Sequence, residues 1–535
     1  MMTAVRLPHS RFEFLYEEVA DFLRFWRLFC VQIQKTSIIA IAQCSILLQN
    51  WRRFWNKKLG RVCMMAFLNV KFLVAAFFIS ALMFSSTPAL AQDAVLDSGD
   101  TAWMLVSALL VLMMTVPGLA LFYGGLVKRD NVLSTLIQSL AVAVVVSVVW
   151  PVIGYSLAFT PGNSFIGGMD QFMLKGLTPQ SLVGTIPESV FIIFQMTFAI
   201  ITMALMVGAV ADRIKFTSLL ILTPLWVIAV YAPIAHWVWG PGGFIGGVDR
   251  EGYEGFFGMG DALDFAGGTV VHINSGVAGL VAAIVIGRGM KTRQDPSTST
   301  NLILSVIGTG MLWVGWFGFN AGSALSAGTG AGFAMLVTNA AAGVAATIWM
   351  GFELIHKGKI SVQGTISGVV AGLIAITPAA GFVDFQGALI IGTAAGVICY
   401  LAVTYLKVLL KYDDALDVFG LHGVGGIVGA ILVGVFANPE IGGAAGALYG
   451  NDKQLIAQIL SVIVTMVYSG VITLILLLII RTLMGLRVDP RVEYWGLDLA
   501  HHGETIVEYM EGLPKKSPFN KSKSKPKAAS KKAGD

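Results

Sequence analysis

Charge is what this sequence has least of: Asp, Glu, Lys and Arg make up 13% of its 535 residues, against roughly 25% in an ordinary soluble domain. Beside 56% hydrophobic residues, that scarcity excludes a chain whose whole surface meets water and points to one whose solvent is lipid. Cysteine is scarce too. Of the four, Cys30, Cys44 and Cys63 precede the region read below as the mature protein, and Cys399 stands alone in an apolar run. Neither a disulfide framework nor a metal site is expected, and no enzyme or cofactor motif is present. The net charge of +5 owes much to eight lysines between Lys515 and Lys532, so it describes a tail and not a nucleic-acid-binding surface.

Near the start, residues 64–91 carry Lys71, an apolar stretch from Phe72 to Phe84, and then Ala89-Leu90-Ala91, the pattern of a signal peptide cut after a small-x-small site. The alternative, a first transmembrane helix, is disfavoured because the run is short of the roughly 20 residues a span needs. Cleavage after Ala91 leaves Gln92 as the mature N-terminus. Residues 1–63, with the basic and aromatic Trp51-Arg52-Arg53-Phe54-Trp55, then read as a non-native extension; a membrane-surface amphipathic segment is the competing reading.

Eleven uncharged apolar runs of spanning length follow, at 101–125, 132–159, 189–210, 216–239, 265–287, 302–323, 331–352, 362–382, 385–406, 418–437 and 455–480. Basic residues fall in every second connection: Lys128 and Arg129, Arg213 and Lys215, Arg288 with Lys291 and Arg293, Lys357 and Lys359, Lys407 and Lys411. Those connections are expected to face the cytoplasm. Acidic residues (Glu188, Asp249, Glu251, Glu254, Asp384, Glu440) dominate the others, which places the mature N-terminus outside and the C-terminus inside. The domain plan is therefore an extension at 1–63, a signal peptide at 64–91, an all-α membrane domain at 92–485, a cytoplasmic segment at 486–513 and a lysine-rich tail at 514–535. That tail has too little apolar content to fold, and its only expected affinity is a nonspecific one for anionic lipid.

An odd number of spans fits two five-helix halves of opposite topology plus one extra helix. Span five reads His272-Ile-Asn-Ser-Gly276-Val-Ala-Gly279 and span ten His422-Gly-Val-Gly-Gly426-Ile-Val-Gly429, with Asp264 and Asp417 upstream. The glycines let helices approach closely in lipid. His272 and His422 are read as the only two ionisable residues well inside runs, and an ionisable residue there is a functional candidate. One such histidine is more often a satisfied packing residue; two at repeat-equivalent positions are expected to meet near the pseudo-two-fold axis. Burial and mutual repulsion favour their uncharged forms. Neutral imidazoles offer a donor and an acceptor each, which suits a small neutral solute such as ammonia or water. Asp264, just before Phe265, suits an N-cap and favours a cation in the outer vestibule. Phe194, Phe198, Trp239, Trp316, Phe319 and Ser323 are individually ordinary packing or interface residues; together they are expected to form a cage in which a cation meets ring faces and a hydroxyl.

From about Thr101 to Glu504 the chain resembles the bacterial ammonium transporter family. The resemblance rests on Asp264-Phe-Ala-Gly-Gly-Thr-Val-Val-His272-Ile-Asn, Pro117-Gly-Leu-Ala-Leu-Phe-Tyr-Gly-Gly125, Trp316-Phe-Gly-Phe319-Asn-Ala-Gly-Ser323 and Asp417-Val-Phe-Gly-Leu-His422-Gly. It implies a homotrimer with a pore through each subunit, in the inner (plasma) membrane. It also implies an outer ammonium-recruitment site of Phe198, Trp239 and Ser323 supported by Asp264, a phenyl gate of Phe198 and Phe319, twin pore histidines His272 and His422, and lining residues Trp316 and Phe194. Ammonium, with methylammonium as analogue, is the implied substrate. The stretch Gly496 to Glu504 is similar to the family's cytoplasmic tail, a face on which bacterial relatives dock a PII-type signalling protein. The charged loop from Gly240 to Asp261 is longer than in many relatives. Two alternatives stay open: an ammonium sensor, for which the roughly 55 residues after Ile480 leave little room, and a Rhesus-type gas channel, against which Trp239 and Ser323 speak.

Overall fold

The computed structural model describes residues 95–246, 258–289 and 301–504. The readings of 1–63, 64–91 and 505–535, of Lys291 and Arg293, and of Asp249, Arg250, Glu251 and Glu254 lie outside those residues. Long apolar runs have no water with which to satisfy their backbone groups, so they close their hydrogen bonds internally as helices. Ten such helices among the described residues are long and apolar enough to cross a membrane: α1 (Ser98–Leu126), α2 (Arg129–Phe159), α3 (Glu188–Val207), α4 (Phe216–Trp239), α5 (Gly268–Ile286), α6 (Leu302–Gly322), α7 (Thr329–Lys357), α9 (Phe385–Leu410), α10 (Phe419–Phe436) and α11 (Asp452–Met484). Between α7 and α9 lies α8 (Val362–Ile376), apolar but shorter. Two short helices, α12 (Pro490–Trp495) and α13 (Leu497–His502), follow α11. The protein is thus all-helical across the membrane, with only two-residue hairpins, Gly162–Asn163 with Ile166–Gly167 and Leu182–Val183 with Ile186–Pro187, in the described loops between α2 and α3.

Side-chain caps set several helix starts: Asp97 accepts from the Asp100 amide at α1, Asn301 from Leu304 at α6, Ser361 from Gly364 at α8 and Asp384 from Gly387 at α9. Two expected spans are shorter than read by more than a couple of residues. The fifth begins at Gly268 and not at 265, because Gly267 takes a left-handed φ of 111° that breaks the helix before it. The eighth stops at Ile376 and not at 382; Pro378 follows, and proline disfavours helix in the residue before it.

The helices are layered by burial. Of its most apolar stretch α5 buries 94% and α3 89%, whereas α11 buries 28%, so α3 and α5 are central and α11 lies along the outside. Helices α5 and α10 cross reciprocally. A Cβ on Gly276, four residues after His272, would strike the backbone of Gly423, one residue after His422. A Cβ on Gly426, four residues after His422, would crowd the Cβ of His272 and the side chain of Ile273. At Gly276 the backbones touch, so glycine is required there, while at Gly426 a side chain would be tight against its neighbours; the reciprocity is the geometry a two-fold-related pair of halves produces. Both histidines sit on wide, π-type turns at the starts of their helices, Gly268–Ile273 and Phe419–Gly423, a local geometry common at functional sites.

Candidate functional site

The aromatic side chains meet in one continuous series. Phe194 and Phe198, one turn apart on α3, touch edge to face with ring centroids 4.9 Å apart. Phe198 meets Trp239, the last residue of α4, edge to face at 5.9 Å, and stacks on Phe319 of α6 at 4.1 Å and 16°. Phe194 also packs on Gly322, beside Ser323. Phe198 and Phe319 are buried, and parallel rings that close leave no gap for a hydrated ion. One turn beyond Phe319, the Ser323 hydroxyl donates to the Phe319 carbonyl at 2.8 Å. Its lone pairs stay available as acceptors.

Phe319 leads to the histidines. The His272 ring lies 6.0 Å from Phe319, 5.4 Å from Trp316 in a near-parallel stack, and 5.3 Å from His422. Trp316 is fixed by its indole N–H, which donates to Thr377 Oγ1 at 2.9 Å. The two Nδ1 atoms stand 3.2 Å apart, a spacing at which one must donate and the other accept. Each ring's Nε2 then has the opposite character to its Nδ1, so the pair presents one acceptor and one N–H donor. His272 Nε2 is buried with no hydrogen-bond partner among the described residues; an orphaned polar atom on a ring-lined wall is a place for a transient solute.

Asp264 caps α5, though not as the adjacent N-cap expected. Its Oδ1 accepts from the amides of Gly267 and Gly268, and its Oδ2 from the amides of Thr269 and Val270 and from the Thr269 hydroxyl. The carboxylate therefore reaches forward over the left-handed Gly267 and consumes its lone pairs on the helix end. Its backbone carbonyl takes the Trp239 indole N–H at 2.8 Å. The counterpart in the second half is Asp414, not Asp417 as the sequence suggested. Asp414 stands eight residues before His422, as Asp264 stands eight before His272, and its Oδ2 accepts from the Phe419 amide at 2.7 Å. Asp417 instead pairs with Lys407 at 2.7 Å. All the other expected residues, Phe194, Phe198, Trp239, Trp316, Phe319, His272 and His422, fall in the one series just described, with Ser323 one turn from Phe319.

Two features escaped the sequence reading. His236, three residues before Trp239, is fully buried, with Nδ1 2.9 Å from the Ala158 carbonyl and Nε2 2.8 Å from that of Asn163; it ties α4 to the end of α2 and the loop beyond. The second is how the segment after α11 is held against the bundle. Lys215 donates its amide to Leu486, and Val488 its amide to Arg213. Arg487 grips Glu493 and the carbonyls of Ile286 and Arg288. Asp498 accepts from the amides of Leu133 and Ser134 at 3.1 and 2.7 Å. Burial pushes the Asp498 carboxyl up, with those two amides opposing.

A bundle of membrane-length helices thus encloses a ring-lined series that ends on paired imidazoles. Residues 102–507 match the sequence profile of the Ammonium Transporter Family, and the chain belongs to that family. It is 49% identical over 421 residues to an ammonium transporter of Aquifex aeolicus, covering 78% of this chain and 96% of that protein. It is 46% identical over 419 residues to an ammonium transporter of Bacillus subtilis, covering 77% and 99%. Among solved structures, Candida albicans Mep2 is 34% identical with a TM-score of 0.67, covering 74% of this chain and 87% of that one. A structure titled Sensor Amt Protein is 28% identical with a TM-score of 0.68, covering 76% and 98%.

Proposed function

We propose that this protein carries ammonium nitrogen inward by recruiting the cation at Trp239, Phe198 and Ser323, stripping its proton and passing ammonia between Phe198 and Phe319 to the paired histidines. The observation that carries this reading is the unbroken contact series Trp239–Phe198–Phe319–His272–His422. At its outer end a cation gains about 0.5 to 2 kcal/mol from each ring face it meets and finds the lone pairs of Ser323. Among the described residues no carboxylate hydrogen-bonds to the histidine pair, whose rings bond to each other. An ion that sheds its water there loses far more than ring faces return, so the neutral molecule is the species that passes. The histidine pair then accepts one hydrogen bond from ammonia and donates one to it.

The same reading gives a homotrimer of independent pores in the inner membrane, with the mature N-terminus outside. It places a PII-type protein on the cytoplasmic face, where α13 and the connections before α2 and α4 lie together. A sensor is the second reading, favoured by the likeness to the Sensor Amt Protein. Purified protein in liposomes separates the two: saturable labelled methylammonium uptake competed by ammonium is expected, with current recorded across a pH series. Binding without uptake would leave the sensor.

A further inference from the structure

The two halves build the same frame at opposite ends of the path. In each, an aspartate eight residues ahead of the pore histidine caps the helix with its carboxylate, and its backbone carbonyl takes a hydrogen bond from the helix that precedes it. Outside, the donor is the Trp239 indole, 2.8 Å from the Asp264 carbonyl. Inside, it is the Lys407 ammonium, 2.6 Å from the Asp414 carbonyl. The Lys407 nitrogen has a second oxygen at 2.7 Å, Oδ1 of Asp417. Asp417 presents that oxygen from a left-handed backbone, φ 59°, a conformation few residues other than glycine adopt, though asparagine and aspartate do so most readily. The Asp414 carboxylate keeps one further oxygen, Oδ1, buried with no hydrogen-bond partner among the described residues.

A lysine head group is an alkylammonium: tetrahedral, singly charged, with three N–H donors. Held between a carbonyl and a carboxylate, it occupies the kind of site that ammonium itself would take. We propose that Lys407 is a tethered substrate mimic that keeps an ammonium site at the inner mouth permanently filled. The protein therefore binds its substrate at the outer mouth and presents no competing site within. The tether has a large advantage over free ion, since a group on the same chain acts at a high effective concentration. For a passive carrier the consequence is kinetic. The equilibrium distribution is untouched, but cytoplasmic ammonium does not accumulate at the exit and slow its own entry.

This inference rests on the transport reading above, and its test separates the two. Wild type, Lys407→Met, Lys407→Ala and Lys407→Arg are reconstituted in liposomes of determined orientation, and outside-in methylammonium uptake is measured against graded internal ammonium. In Lys407→Met and Lys407→Ala, internal ammonium is expected to inhibit at concentrations on the order of tenfold lower than in wild type, with Lys407→Arg following wild type. Superimposed inhibition curves for all four overturn the mimic; absence of saturable uptake by wild type overturns the transport reading instead. A second readout needs no transport. In detergent, ammonium chloride should raise the melting temperature of Lys407→Ala more than equal sodium chloride does, and more than it raises that of wild type. Equal effects on the two proteins contradict the proposal even if the variant is too unstable to reconstitute.

Discussion

The indole N–H of Trp239 is committed to the carbonyl of Asp264, 2.8 Å away, while its ring meets Phe198 edge to face. The hydrogen bond sets the ring's angle; the ring supplies the π-face. Trp239→Leu removes both, so apparent ammonium affinity from outside should fall several-fold with less effect on the maximal rate, about 1 kcal/mol of cation binding being lost. Ser323→Ala should act in the same direction by removing one acceptor. Initial uptake rates over a concentration series check this, and unchanged half-saturation in both variants counts against the recruitment site.

At the His422 end of the series, burial pushes the Asp414 carboxyl up from 3.8 to about 6, with Lys407 opposing and Asp417 adding to the rise; Arg213 and Tyr412 feel its charge. Because the folded carboxyl keeps its proton to a higher pH than the unfolded one, its stabilising contribution is complete below about pH 4. It is lost as pH rises toward 6, by roughly 3 kcal/mol in all. Asp414→Asn does not titrate. The melting temperature of that variant relative to wild type should therefore climb between pH 4 and 6.5 and level off above; a difference constant across that range would show that the carboxyl titrates normally.

Asp498 binds the amides of Leu133 and Ser134 more than 360 residues away in sequence. Asp498→Ala leaves the start of α2 uncapped, a loss of about 0.5 to 2 kcal/mol. Hydrogen exchange at those two amides should quicken by roughly tenfold in the variant, in line with a loss of that size. Unaltered exchange would mean that water replaces the carboxylate without penalty.

The mature protein is expected to begin at Gln92, since the small-x-small site of Ala89 to Ala91 follows a short apolar core. N-terminal sequencing of membrane-extracted protein checks it, and retention of residues from 1–63 would contradict it.

Much of the architecture was legible because lipid imposes it. A run such as that of α3 has no alternative to helix in hydrocarbon. The breaks were less legible. Phe265 to Gly267 read as apolar helix, yet a left-handed glycine and a forward-reaching carboxylate make them a loop. The histidine pair stood out through the Gly spacing that α5 and α10 share, whereas its aspartate was misassigned. Asp417 is the nearer acid to His422, but the eight-residue interval of Asp264 and His272 selects Asp414. His236 was overlooked because a histidine three residues from a span end looks interfacial, although both its ring nitrogens bind carbonyls inside the protein. The docking of Asp498 on α2 leaves no trace in local pattern at all, being a contact between distant segments.

The central claim is that His272 and His422 act as one unit on a neutral solute. The measurement that tests it most directly is uptake and current for ammonium and potassium in His272→Ala, His422→Ala, the double variant and His272→Asp at matched expression. Because each ring fixes the other's tautomer through the 3.2 Å Nδ1 to Nδ1 contact, either alanine should remove most transport or change what is carried. The double variant should lose far less than the two single losses combined. A carboxylate at 272 should hold a cation in the path and let potassium through. Independent losses that simply combine, together with ammonium selectivity intact in His272→Asp, would show that the histidines are packing residues and that ammonia does not pass between them.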